Sequence, residues 1–201
     1  MGFETIQGVS VSSESLDGVC SAYKICDDGV IDSVLSAELI KPFLYKASAM
    51  LEEPHFFFVE LPCSEDEEKE LRKTRSDPFH YKVYYLDGCT APVTKAIIDR
   101  YGDLLINDGL VRFGFGSNKT NEEIYVRDYQ QILVYGKTAR YEKAYTDLGI
   151  ERKDELRFIS DSFSPENCGT CMAVEIEGEQ CPDIVENLSR EGMYYAQTVE
   201  F

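Results

Sequence analysis

The chain has 201 residues, of which 43% are hydrophobic, 28% charged and 12% aromatic, with 13 Tyr, 11 Phe and no Trp. That length and apolar content support one hydrophobic core without metals or disulfides, and they exclude a disordered chain. A net charge of −17 at pH 7 disfavours nucleic acid as a partner and favours a basic surface.

The charge is uneven along the chain. Residues 1–40 hold seven acids against one base, Lys24, and residues 158–201 hold nine acids against one base, Arg190. Between them, residues 41–157 carry 21 acids and 18 bases, close to balance. The surplus therefore sits in the two ends, and it forms one acidic face if those ends meet. No run of about eighteen apolar residues is present, so no membrane-spanning helix is expected. Met1–Thr5 lacks the basic start and apolar run of a secretory leader. The seven cysteines, an odd number spread from Cys20 to Cys181, read as reduced thiols. Both features predict a cytoplasmic protein.

Taken in chain order, weak alternation over Thr5–Val11 suggests an early strand. Near-helical spacing of Val34, Leu35, Leu39, Ile40, Phe43, Leu44, Ala47 and Leu51 predicts a helix from Asp32 to Glu53. Asp32 or Ser33 would cap it, and Pro42 marks a break or restart. The apolar run His55–Leu61, set between two prolines, reads as a central strand. Ser64 followed by Glu67 is a capping box that opens a short exposed helix. His80–Leu86 is a further strand, and Thr90 can cap a helix through Asn107. Val111–Gly116, Ile124–Val126 and Gln131–Tyr135 read as strands, and Thr138–Leu148 as a helix closed by Gly149. Leu156–Ile159 and Met172–Ile176 look like strands, Pro182–Arg190 like a helix, and Met193–Phe201 like a terminal strand. Helices and strands mix without strict alternation. The expected fold is α+β, a mixed or antiparallel sheet with helices packed on it, in a single domain 1–201 with a minor subdivision near residues 74–79.

Chemical motifs are sparse. Cys168 and Cys171 form a CxxC pair, but it follows a polar loop and runs into the expected strand at Met172. A redox dithiol needs its first cysteine at a helix N-terminus, and the acids nearby would raise a thiolate pKa. Zinc needs a second ligand pair; Cys168, Cys171 and Cys181 are the weak candidates, and no second CxxC exists. The two histidines, His55 and His80, both begin strands and read as structural residues. No nucleophile elbow, phosphate loop or calcium loop is present. Gly114 and Gly116 lack the third glycine and following helix of a dinucleotide site. They read instead as glycines that ease close packing in a strand. No cofactor and no catalytic constellation are expected, although a carboxylate-based hydrolase or a protein using the Cys168/Cys171 pair remains an alternative.

The C-terminal region carries the binding expectation. Acids alternate there with Ala173, Val174 and Ile176, counter-charges are nearly absent, and two tyrosines stand close by. The residues expected to grip a basic protein are Asp161, Glu166, Glu175, Glu177, Glu179, Asp183, Tyr194 and Tyr195. A homodimer is also possible on this reading. In overall character, and in the stretches Phe113–Ser117, Glu122–Val126 and Ser164–Asn167, the chain resembles the immunity proteins of bacterial polymorphic toxin systems. The resemblance implies a small acidic cytoplasmic protein that neutralises a cognate, often basic, toxin domain by covering its active surface. It covers general character and assigns no functional residue.

Overall fold

The computed structural model describes residues 2–200. In chain order the elements are β1 (Val9–Ser10), β2 (Ala22–Ile25), β3 (Ile31–Val34), α1 (Ala37–Ser48), β4 (His55–Pro62), α2 (Glu65–Leu71), β5 (His80–Cys89) and α3 (Ala91–Asn107). They continue with β6 (Arg112–Ser117), β7 (Glu122–Val126), β8 (Gln131–Tyr135), α4 (Thr138–Thr146), β9 (Glu151–Arg152), β10 (Thr170–Cys171), α5 (Cys181–Ser189) and β11 (Tyr194–Glu200). Nine strands form one sheet in the order β11-β5-β4-β6-β7-β8-β3-β2-β9, antiparallel except where β9 joins β2. β1 and β10 pair separately. The fold is α+β.

Period-two alternation divides the sheet into two unlike faces. Phe57 and Val59 of β4, Phe113 and Phe115 of β6, Ile124 and Val126 of β7, and Ile132 and Val134 of β8 all face the main core. Helices α1, α3, α4 and α5 bury their apolar stripes on that face, α1 packing against α3 and α4, and α3 against α5. Two crossovers place the helices there: α1 carries the chain from β3 to β4, and α3 carries it over β4 from β5 to β6. Tyr145 of α4 is fully buried between Tyr23 and Phe43, with both ring centroids 4.5 Å away, and its hydroxyl meets that of Ser33 at 3.0 Å.

Three expected elements come out differently. Ile31–Val34 is a strand, and the helix starts only at Ala37 with Pro42 inside it. The local alternation prevails because Ser33 faces Tyr145 while Asp32, on the other face, accepts from Gln131. Leu156–Ile159 is not a strand; Ile159–Ser162 forms a 3-10 turn with Ile159 in a small satellite core beside Val19 and Val34. In the stretch Met172–Ile176, pairing stops at Cys171, because the Val174 amide donates to the Asp108 carboxylate instead of to a neighbouring strand.

The two acidic ends meet only in part. β1 pairs with β10, and the Gly8 and Met172 backbones bond each other and clamp the end of α3 through Asn107 and Gly109. β11, however, lies at the sheet edge opposite β2 and β9.

Candidate functional site

The side of the sheet away from α1, α3, α4 and α5 carries a continuous aromatic floor. Along β4, Phe56, Phe58 and Glu60 point to this side, opposite Gly116, Gly114 and Arg112 of β6. The two glycines lie beneath phenylalanine rings. A Cβ on Gly114 would stand 2.5 Å from the Phe58 ring, and one on Gly116 would stand 2.2 Å from Phe56. Glycine is required there because any side chain would occupy the space of the ring above it. Tyr85 of β5 lies 5.7 Å from both Phe56 and Phe58, and Tyr125 of β7 lies 5.3 Å from Phe58. Tyr85 and Tyr125 are half-buried and Tyr135 of β8 is exposed, so the floor is open to solvent at these rings.

Charge is built into the floor. Arg112 is buried and donates to the Asp128 carboxylate from Nε at 2.9 Å and from Nη2 at 2.6 Å. Its guanidinium lies 4.6 Å from the Tyr81 ring, and its Nη1 is 3.9 Å from Glu60. Asp128 is thus the close partner, and Glu60 is a longer-range one. Glu60 instead accepts from the Tyr125 hydroxyl at 2.8 Å. Burial pushes the Glu60 carboxyl above its ordinary range, with Tyr125 and Arg112 opposing the shift. Glu123, two residues before Tyr125 on the same face and opposite Tyr135 across the ladder, is half-buried, and its side chain has no hydrogen bond or ion pair among the described residues. Burial raises its pKa, and the Glu60 charge adds to the effect. Burial also raises Tyr85, followed by the charges of Glu123 and Glu60. Tyr135 is raised by burial and then by Glu123. The result is an aromatic surface that carries the Glu60 and Glu123 carboxyls, with Arg127 near Tyr125 and with Glu123 unpaired at its open end. Beside that carboxylate is a hollow of about 370 Å³ lined by Phe56, Ser117, Asn118, Asn121, Glu122 and Tyr135.

These shifts fix a pH response. Asp32, Glu60, Asp108 and Glu123 are each raised, chiefly by burial, so the folded chain holds their protons more tightly than the unfolded one. Their contribution is complete below the ordinary carboxylate pKa and is lost as pH rises through the raised values. Glu52, Glu67, Asp77 and Asp99 are shifted down, but they face solvent, three of them in screened ion pairs and Asp77 in a turn where it accepts from Thr74 and the Lys73 amide. The melting temperature is therefore expected to be higher at about pH 5.5 than at about pH 8. A thermal melt series that is flat or falls toward acid would contradict this balance.

The residues anticipated from sequence are dispersed. Asp161 caps the 3-10 turn at the Phe158 amide, and Asp183 caps α5 at the Gln180 amide. Glu179 pairs with Arg100 of α3 at 2.5 Å and accepts from Asn187. Glu175, Glu177 and Glu179 follow the loop beside α3, on the helix side of the molecule, and Glu166 is exposed near β10. Tyr195 stacks edge-on against Tyr84 and faces the helix side. Tyr194 alone joins the aromatic floor: it pairs with Tyr85 across the ladder and donates to Asp87 at 2.8 Å. Glu60, Tyr85, Glu123, Tyr125 and Tyr135 were not singled out by the sequence pattern. The signal that could have found them is the alternation of phenylalanine with glycine in β6, set beside the phenylalanine run of β4.

The thiol alternatives gain no geometry. All seven cysteines are free, Cys168 is exposed, and burial raises the Cys171 thiol, with a hydrogen bond from Tyr129 opposing. Among the described residues no group of three or more His, Cys, Asp or Glu is placed to hold a metal ion. His55 is buried, with Nδ1 3.0 Å from the Thr94 hydroxyl and Nε2 3.3 Å from the Leu51 carbonyl. His80 is held by Glu68 of α2. No helix among the described residues is long and apolar enough to cross a membrane. Comparison with protein-family models, with curated sequences and with solved structures found no match.

Proposed function

We propose that the chain is a cytoplasmic binding protein that sequesters a basic protein, such as a toxin domain, on the aromatic face of its sheet. The observation that carries this reading is Glu123, a half-buried carboxylate without a partner within the chain, opposite Tyr135 across the ladder and lining one hollow with Phe56. An arginine fits such a place better than a lysine. Its planar fork matches a carboxylate in bidentate fashion, and its face stacks on tyrosine. Each stacked cation is worth about 0.5–2 kcal/mol, and desolvation favours the upper end. The guanidinium would also lower the Glu123 pKa, so binding strengthens as Glu123 ionises. The net charge of −17 steers such a partner to the surface, and the floor then provides the grip. The C-terminal acids serve steering on this reading, since Glu179, Asp161 and Asp183 already have partners within the chain.

The test uses an arginine-rich peptide titrated into the full chain at low and at raised salt. Binding is expected to weaken with salt and to perturb the tyrosines of the floor. Glu123→Lys should weaken it by about thirtyfold, the equivalent of about 2 kcal/mol. Neutralising Glu175, Glu177 and Glu179 together should slow association while leaving the dissociation rate unchanged. If Glu123→Lys binds as tightly as the parent, or if the peptide maps to residues 166–183 instead, the aromatic face is not the site.

A further inference from the structure

At one end of the same sheet the charge reverses. Residues 69–75, where α2 ends and its loop begins, place Lys69, Arg72, Lys73 and Arg75 around a cleft of about 780 Å³. The volume is that of a small-molecule site. Its walls are apolar: Phe79, Tyr81, Leu110 and Pro62, with Cys63 and His80 beside them. Phe79 is 57% exposed although it lines the cleft.

The two acids lining the cleft do not balance its cations. Glu68 is committed to His80, accepting from its backbone amide at 2.6 Å and meeting its ring at 3.2 Å. Glu65 is the other. Of the cations, Lys69 is paired with Asp66, whereas Lys73 and Arg75 have no ion pair among the described residues. Arg72 is the most telling. Its guanidinium lies over the Phe79 ring at 4.1 Å and donates from Nη2 to the Arg75 carbonyl, yet its Nε is buried without an acceptor. A buried donor left unmade is costly, and Arg72, like Lys73 and Arg75, has no ion pair among the described residues to occupy its charge. In a chain of charge −17, an apolar cleft rimmed by cations has a specific meaning: it selects a ligand that is apolar at one end and anionic at the other.

We infer that this cleft binds a small amphipathic carboxylate, a medium-chain acyl anion in chemical class. The chain lies on Phe79, Tyr81 and Leu110, and the carboxylate is held by Arg72 with Arg75 and Lys73 at the rim. The site is separate from the Glu123 end of the sheet, so its occupancy stands or falls independently of the peptide experiment.

The test is calorimetric titration of the full chain with decanoate, decanol and decyltrimethylammonium, each kept below its micelle concentration. Decanoate is expected to bind in the micromolar range, decanol at least about tenfold more weakly, and the cationic amphiphile not at all. The double substitution Lys73→Glu and Arg75→Glu changes two exposed side chains, and an unchanged melting temperature confirms that it folds. It should weaken decanoate by at least about tenfold and leave decanol unaffected. The arginine-rich peptide should bind this variant at least as tightly as it binds the parent. Absence of decanoate binding, equal affinity for decanoate and decanol, or decanoate binding indifferent to the double substitution would each overturn the assignment.

Discussion

Replacing Arg112 with alanine is expected to lower the unfolding free energy by about 3–5 kcal/mol in urea denaturation near neutral pH. The loss does not measure the net worth of the ion pair. It arises because Asp128 keeps a carboxylate in a partly buried position after its two donors at 2.9 and 2.6 Å are gone. Glu60 loses the Arg112 charge 3.9 Å away at the same time, and its carboxyl is already raised by burial. Burial works against the Arg112 charge as well, but Asp128 outweighs it, and the guanidinium is held above its ordinary pKa. Arginine is needed as such, because its fork meets Asp128 while its face lies on Tyr81. Lysine at this position should recover less than half of the loss. The pH dependence separates this account from a simple loss of packing. With the cation removed, Glu60, already raised by burial, takes up its proton more readily, so the deficit of the variant must shrink as pH falls through that raised value. A deficit that stays constant with pH would assign the effect to lost packing instead.

Much of the fold was legible where local signals agreed. The capping box of Ser64 and Glu67 forms as read, with Ser64 Oγ accepting from the Glu67 amide and the Glu67 carboxylate accepting from the Ser64 amide. α3, β5, β6 and β8 follow their apolar spacing and their turn residues. Residues 32–36 were misread because Val34 and Leu35 fit a helical stripe as well as a strand, and only the facing Tyr145 and Gln131 decide between them. Both partners lie about a hundred residues away in sequence, beyond any window of periodicity.

The site was less legible, for a related reason. His55–Leu61 is apolar at nearly every position, so its two faces look alike in sequence. Which phenylalanines meet helices and which roof glycines depends on the register of β4 against β6. The acids of the C-terminal stretch looked unpaired because their counter-charge comes from elsewhere: Arg100, on α3, neutralises Glu179. A count of charge along the chain cannot see a pair that closes across the fold. Glu123 is the reverse case. It sits two residues before Tyr125 in an ordinary alternating strand, and its lack of a partner is a property of the sheet face alone.

The glycines beneath the rings give the second large effect. Gly114→Val is expected to destabilise the chain by about 3 kcal/mol, the upper end for overpacking, because one neighbour is backbone that cannot yield and the other is a packed ring. The new Cβ would lie 2.2 Å from the Ile124 carbonyl oxygen and 2.5 Å from the Phe58 ring. The first contact is with backbone in the middle of the β6–β7 ladder, which cannot move without breaking its pairing. The second is with a ring wedged between Tyr85 and Tyr125. Relief must therefore come from Phe58 swinging away from the floor, which also removes the stacking that holds Tyr125 toward Glu60. Two measurements then move together: urea stability falls, and the near-ultraviolet circular dichroism of the tyrosines weakens. Phe58→Ala separates the causes. It opens space above Gly114, so the double variant Phe58→Ala with Gly114→Val should lose less than the sum of the two single changes, a coupling of about 1 kcal/mol or more. Strict additivity would mean that the ring does not rest on Gly114, and the aromatic floor as described would have to be abandoned.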